Sequence, residues 1–316
     1  MAVFEGAYTA PALRSSSALR TLALGAVAVG FAAPLVRRRL KLRPAVVSLL
    51  SWQAPVALAV ARPRSAWRDA GIYFLQMWAY LAHYEMPNDD PDKLLARLRI
   101  DYPIRADTAL GLGTAPTVRL QRALGRPGEV LPHDLVLAWI HWSWFIVPHG
   151  SSAYILLRHR WHFPRAAAMM TAVFDLGIVV YWTLPTAPPW WAAQNGNMPQ
   201  VRRMMVEVGE HFWGRAWRPL YDFLGGNPFA AMPSLHFATS VMAAHVLSDV
   251  GRVPGALGWS YAAALGFALV YLGEHYVVDL AAGLALAEGV RRLAPVAEPL
   301  VDAVARRVQL LEPRTS

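Results

Sequence analysis

Four short stretches of this 316-residue chain carry residue types suited to phosphate chemistry. The first is AAMPSLHFATS, with Pro233, Ser234 and His236. It stands where an apolar segment begins, and Pro fits the first turn of a helix. A helix N-terminus presents free backbone N–H groups and the positive end of a dipole, which suits a phosphate. Ser234 can donate to a phosphate oxygen, and His236 can give a proton to a leaving oxygen. The second is YLGEHYVVDLAAG, with His275 and Asp279. Residues four apart share a helix face. An Asp there accepts from one imidazole nitrogen, fixes the tautomer and leaves the other nitrogen free as nucleophile or base. The third is WTLPTAPPWW, in which Pro185, Pro188 and Pro189 end a helix and stiffen the exit. Trp190 and Trp191 follow at the expected headgroup level, as the rim of a substrate pocket. The fourth is HFWGRAWRP, whose Arg215 and Arg218 offer the planar fork that matches phosphate oxygens. Each stretch alone is weak. His141 and His149 read first as packing residues, and Arg202 and Arg203 as headgroup contacts. The order, spacing and side of these motifs carry the argument together.

The elements that must position them are apolar. A helix needs about 20 apolar residues to cross a bilayer. The sequence predicts spans near 135–157, 166–184, 234–250, 255–273 and 276–291, an aromatic-rich one at 69–86 and a further one at 21–36, stopped by Arg37, Arg38 and Arg39. The 21–36 segment resembles a signal-peptide core but reads as a retained anchor. Segment 44–61 is apolar too, but Pro44, Gln53 and Pro55 weaken it as a span. Arg158, Arg160 and Arg165, then Arg252, then Arg291 and Arg292 fall in turns on one side, which the positive-inside rule makes cytoplasmic. Segment 185–233 and the turn near 273–276 therefore share the extracytoplasmic side. His236 and His275, 39 residues apart, are returned to that same face by one span down and one span back. KLLARLRI and PLVDAVARRVQLLEP read as amphipathic helices lying in the interface.

Composition agrees. Hydrophobic residues make up 55% and charged residues 16%, against a usual charged share of about 25%. That apolar content excludes a disordered chain. With no Cys, a disulfide scaffold and a thiolate metal site are excluded. The net charge of +9 sits in short basic runs beside apolar segments, which points to membrane topology and not to nucleic acid.

At Pro233-Ser234-Leu235-His236 and at His275-Tyr276-Val277-Val278-Asp279 the chain resembles the type 2 phosphatidic acid phosphatase superfamily, whose second motif is P-S-G-H and whose third ends in H-x-x-x-D. The resemblance covers about 69–292 and implies a six-span core and a reaction that needs no metal and no cofactor. It implies that His275 attacks phosphorus to form a phosphohistidine, that Asp279 orients it, and that His236 protonates the leaving oxygen. Two positions depart from the pattern. Ala268 and Leu269 stand where the third motif usually opens with Ser-Arg, and the first motif, K-x6-R-P, survives only as His211 with Arg218-Pro219. PSLH, the APPW segment and the apolar run before His275 are similar to the inositol phosphorylceramide synthase branch and its bacterial relatives, which transfer a phosphorylated polyol headgroup between lipids.

The expectation is thus an all-α integral membrane protein of the bacterial plasma membrane. It has a six-helix transmembrane core, one or two extra N-terminal hydrophobic segments and interfacial amphipathic helices. Residues 1–68 form an anchor and basic linker, 69–292 the catalytic domain and 293–316 a cytoplasmic amphipathic tail. Its substrates are lipid phosphates or phospholipids, and its reaction is headgroup transfer to a lipid acceptor, with hydrolysis by water as the alternative. A transporter or membrane scaffold is the third reading. It is disfavoured because the polar residues gather at one face and do not mark a path through the bilayer.

Overall fold

The computed structural model describes residues 17–224 and 226–311. The last residues of the expected tail, 312–316, and the first sixteen of the expected anchor lie outside them. The described residues are helical, with isolated bridges as their β structure. The described residues form two compact units, one drawn from 17–86 with 292–311 and the other from 87–291.

The first unit contains α1 (Ser17–Val36), α2 (Pro44–Ala61) and α3 (Ala66–Glu85). The first two are long and apolar enough to cross a membrane. Pro44 sits in the first turn of α2, where its missing N–H costs nothing, so segment 44–61 is a full helix despite its prolines. α3 is 20 residues long, but Arg68, Asp69, His83 and Glu85 leave it outside the set of apolar spans. It packs on α1 and α2, with the Trp78 indole donating to the Phe31 carbonyl at 3.0 Å. Segment 69–86 therefore groups with the N-terminal helices, and the division falls after residue 86 where 68 was expected.

The second unit begins with the short helices α4 (Pro91–Leu95), α5 (Asp101–Leu110) and α6 (Pro116–Leu124). The expected span 135–157 is two helices, α7 (Pro132–Trp142) and α8 (Val147–Arg158), separated by a 3-10 turn at Ser143–Phe145. Pro148 has no N–H to continue the ladder, and the Ser143 hydroxyl takes the Ile140 carbonyl at 2.7 Å. α9 (Phe163–Thr183) and α14 (Arg252–Tyr271) are the two long apolar helices here, and α13 (Leu235–Ser248) is a shorter apolar one. Between α9 and α13 lie α10 (Pro189–Gln194), α11 (Met204–Trp213) and α12 (Trp217–Leu224). α15 (Val277–Gln309) is one 33-residue helix, so the expected last span and most of the amphipathic tail are a single element. Of the six expected core spans, α9 and α14 are long and apolar enough to cross a membrane, while 135–157 is divided, α13 is shorter and α3 belongs to the other unit.

α13 is the buried centre of this unit, packing on α8, α9 and α14. Its buried residues run all round the helix, as a central element requires. Three extended segments meet at one end. Thr186 bridges Arg99 on one side and Ala230 on the other, with Arg99 N donating to Pro185 O at 2.8 Å and Thr186 N to Phe229 O at 2.8 Å. These pairings tie the proline segment after α9 to the segment that enters α13. Asp134, fully buried at the start of α7, accepts from Leu131 N at 2.7 Å and from the Tyr271 hydroxyl at 2.5 Å, joining α7 to the end of α14.

Candidate active site

The 87–291 unit brings the two histidine motifs together. Ser234 is the N-cap of α13: its side chain accepts from Phe237 N at 3.3 Å and is fully buried. Pro233 therefore precedes the cap and is not in the first helical turn. His236, in the first turn of α13, points its Nδ1 at Nε2 of His275 across 3.2 Å. Tyr181 of α9 holds the entry to α13 by donating to the Pro233 carbonyl at 2.9 Å.

His275 and Asp279 do meet, though not on one helix face. His275 precedes the Tyr276 N-cap of α15, and Asp279 lies in the helix's first turn. Asp279 Oδ2 accepts from Tyr276 N at 2.9 Å and faces His275 Nδ1 at 3.3 Å. That contact puts the imidazole proton on Nδ1 and leaves the Nε2 lone pair toward His236. Ser234 N donates to the Asp279 carbonyl at 3.0 Å, which locks the two motifs together. The turn before His275 depends on Gly273, whose φ is +82°. A Cβ there would also come within 2.7 Å of Val201 and 2.9 Å of the Arg202 carbonyl.

The N-terminus of α15 is held by a residue the motifs did not reveal. Asp107 of α5, fully buried, accepts from Val277 N at 2.9 Å and from Val278 N at 3.0 Å. Burial raises its carboxyl above the usual carboxylate range, against the pull of those two bonds. Nearby, the Tyr102 hydroxyl shares a 2.7 Å hydrogen bond with Thr186 Oγ1, and burial pushes it up to about 12, so it remains a neutral hydroxyl.

Trp190 is buried, not at an exposed rim. It is in the first turn of α10, directly after Pro188 and Pro189, and its backbone N–H donates to the Gly273 carbonyl at 3.1 Å. The Arg203 guanidinium lies 3.6 Å over its ring. Glu274 adjoins His275 in the turn between α14 and α15. Burial raises its carboxyl, while the charges of Arg203 and His275 pull it down. Arg203, Trp190, Glu274 and His275 therefore form one polar neighbourhood. Arg203 also lines a cavity of about 510 Å³, with Gln194, Gln200, Arg202, Glu207 and Arg218. Arg202 is engaged by Glu207 and donates to the Arg126 and Glu129 carbonyls. Arg218 is exposed and pairs with Glu210 at 2.9 Å, while Arg215 is exposed on a 3-10 turn. Neither touches the histidines. Among the described residues, no group of three or more His, Asp or Glu is arranged to hold a metal ion.

A family model described as the PAP2 superfamily matches residues 104–291, more than half the chain and the whole of this arrangement. The chain belongs to the PAP2 superfamily. It is similar to the inositol phosphorylceramide synthase catalytic subunit of Schizosaccharomyces pombe, 26% identical over 166 residues, 48% of this chain and 38% of that protein. It is also similar to phosphoinositol dihydroceramide synthase of Bacteroides thetaiotaomicron, 30% identical over 131 residues, 39% of this chain and 42% of that protein. The chain thus spans about two fifths of the length of these curated relatives. No solved structure matches it. This PAP2 protein is a membrane protein, with four helices among its described residues long and apolar enough to cross a bilayer.

Proposed function

We propose that this PAP2 protein is a lipid phosphotransferase that moves a phosphorylated polyol headgroup, of the inositol type, to a lipid alcohol through a phosphohistidine. The carrying observation is the chain Asp279–His275–His236, with contacts of 3.3 and 3.2 Å. His275 Nε2 forms a bond to phosphorus while the bond from phosphorus to the donor's lipid oxygen breaks. His236 gives its Nδ1 proton to that oxygen, and Asp279 balances the charge that develops on His275. In the second half, the acceptor hydroxyl returns a proton to His236, its oxygen bonds to phosphorus and the phosphorus–nitrogen bond breaks. Donor and acceptor alcohols exchange one proton overall, and the enzyme is restored.

Arg203 is the phosphate clamp in this reading, in place of the Arg215 and Arg218 that the sequence suggested. Its fork is pre-oriented by the Trp190 ring, two segments from His275, and its charge reaches the residue next to the nucleophile. The cavity beside it, walled by Gln194, Gln200 and Arg218, offers the amide and guanidinium donors that a polyol phosphate needs. The names of the two relatives favour transfer over hydrolysis. The Arg residues at the far ends of α8 and α13, with Arg291 and Arg292 part-way along α15, support an extracytoplasmic site.

Purified protein is incubated with a headgroup-labelled phosphoinositide donor, with and without ceramide or diacylglycerol. The expected result is label in a new lipid that appears only with acceptor. Release of free headgroup phosphate at the same rate with and without acceptor would replace transfer by hydrolysis.

A further inference from the structure

We infer that His141 is a third imidazole of the reaction centre, donating a hydrogen bond to a phosphoryl oxygen of the group that His275 attacks; the inference rests on the phosphotransfer reading above. His141 sits in the last turn of α7 and is 6% exposed. Neither of its ring nitrogens has a hydrogen-bond partner. A buried polar group left unsatisfied weakens the fold. A chain gains by keeping one where a second state supplies the partner.

The surroundings say where that partner sits. The His141 ring lies 5.0 Å from the His236 ring, tilted by 36°, and the His236 ring lies 5.4 Å from that of His275. The three imidazoles therefore follow one another along one wall. Trp144 also packs on this row: its ring is 4.3 Å from that of His236, and its indole donates to Thr239 Oγ1 at 2.9 Å. The break between α7 and α8 is what places Trp144 there. Two positions where the superfamily pattern has Ser and Arg are Ala268 and Leu269, both fully buried and apolar. The site thus lacks donors at those two positions, and His141 is a buried side chain beside the histidine pair with a donor to offer. A neutral imidazole N–H aimed at a phosphoryl oxygen stabilises the charge that builds there without giving up a proton.

The full-length protein in phospholipid nanodiscs is compared with His141→Phe, which keeps a ring but has no donor, and with His141→Leu and His141→Gln. Two quantities are read: kcat and KM for the labelled donor lipid, and inhibition by orthovanadate, a mimic of the five-coordinate phosphorus. Loss of one charge-stabilising donor predicts that His141→Phe lowers kcat by about 10²–10³-fold, with KM within about threefold, and weakens vanadate inhibition at least about tenfold. His141→Gln, which restores an N–H, should recover about tenfold of kcat over the donor-less variants. If His141→Phe does not fold, His141→Leu against His141→Gln makes the same comparison. A folded Phe or Leu variant with wild-type kcat and vanadate inhibition would reduce His141 to packing. An active wild type, an inactive His275→Ala and a normal His141→Phe would overturn this inference alone. A wild type inert toward all lipid phosphates would overturn the phosphotransfer reading as well.

Discussion

Asp279 does two jobs with one oxygen: it caps Tyr276 N and orients His275. Replacing it with Asn keeps the size and the cap but offers an amide donor or a weaker acceptor to Nδ1, so the wrong tautomer competes. Asp279→Asn should cut kcat by about 10²–10⁴-fold with the fold retained, as measured by turnover and thermal unfolding in detergent. Arg203 supplies a different test. Its guanidinium lies 3.6 Å over the Trp190 ring, a contact an ammonium copies poorly, so Arg203→Lys should lose kcat/KM by about 10-fold or more while Arg215→Ala stays near wild type. Glu274 gives a pH signature. A carboxyl raised in the folded state holds its proton more tightly there than in the unfolded chain. Its contribution to stability is full below the unfolded value and is lost as pH rises through the folded one. Glu274→Gln cannot titrate, so its melting temperature should improve relative to wild type as pH rises above the ordinary glutamate value of about 4; a difference that does not change with pH would contradict the environment described for Glu274. His236, His275 and Asp279 were legible because their spacing is fixed by local turns. Arg203, Glu274, Asp107 and His141 were not, because each is brought in from a segment with no motif of its own and acquires its meaning from three-dimensional neighbours.

At the scale of elements, the turn from α14 to α15 decides where the nucleophile stands. Gly273 needs its positive φ and its bare Cα, because Val201 and the Arg202 carbonyl leave no room for a methyl. Asp107 then accepts from the first two N–H groups of α15. Asp107→Asn removes a charge favourable to a helix N-terminus and one of two acceptors. It should cost about 1–2 kcal/mol and lower turnover by letting His275 drift, read by thermal unfolding and kcat on the same preparation. The spans 166–184 and 255–273 agree with α9 and α14 to within a few residues, because length and hydropathy specify an isolated apolar helix. The span 135–157 broke at Ser143–Ile146, where one Pro and one hydroxyl outweigh apolar continuity. The last span and the tail are one element because α15 runs on through Pro295 and Pro299.

For the whole molecule, the sequence carried the class, all-helical and membrane-embedded, but not the partition into units. The affinity of α3 for α1 and α2 lies in its aromatic contacts, such as Trp78 on Phe31 at 4.9 Å, and these have no sequence periodicity to betray them. The proposed sidedness rests on Arg placement and is open to direct test, since the chain has no native Cys. A single cysteine at Asn195, after α10, should react with an impermeant maleimide added outside intact cells, and one at Arg160 should not. Labelling at position 195 from the cytoplasmic side alone would reverse the orientation. The central claim is that His275 becomes phosphorylated. Wild-type protein mixed with a phosphorus-labelled donor lipid and quenched within one turnover should carry acid-labile, alkali-stable label on His275. His275→Ala should carry none and transfer nothing, whereas full turnover by folded His275→Ala, or label on another residue, would contradict the account.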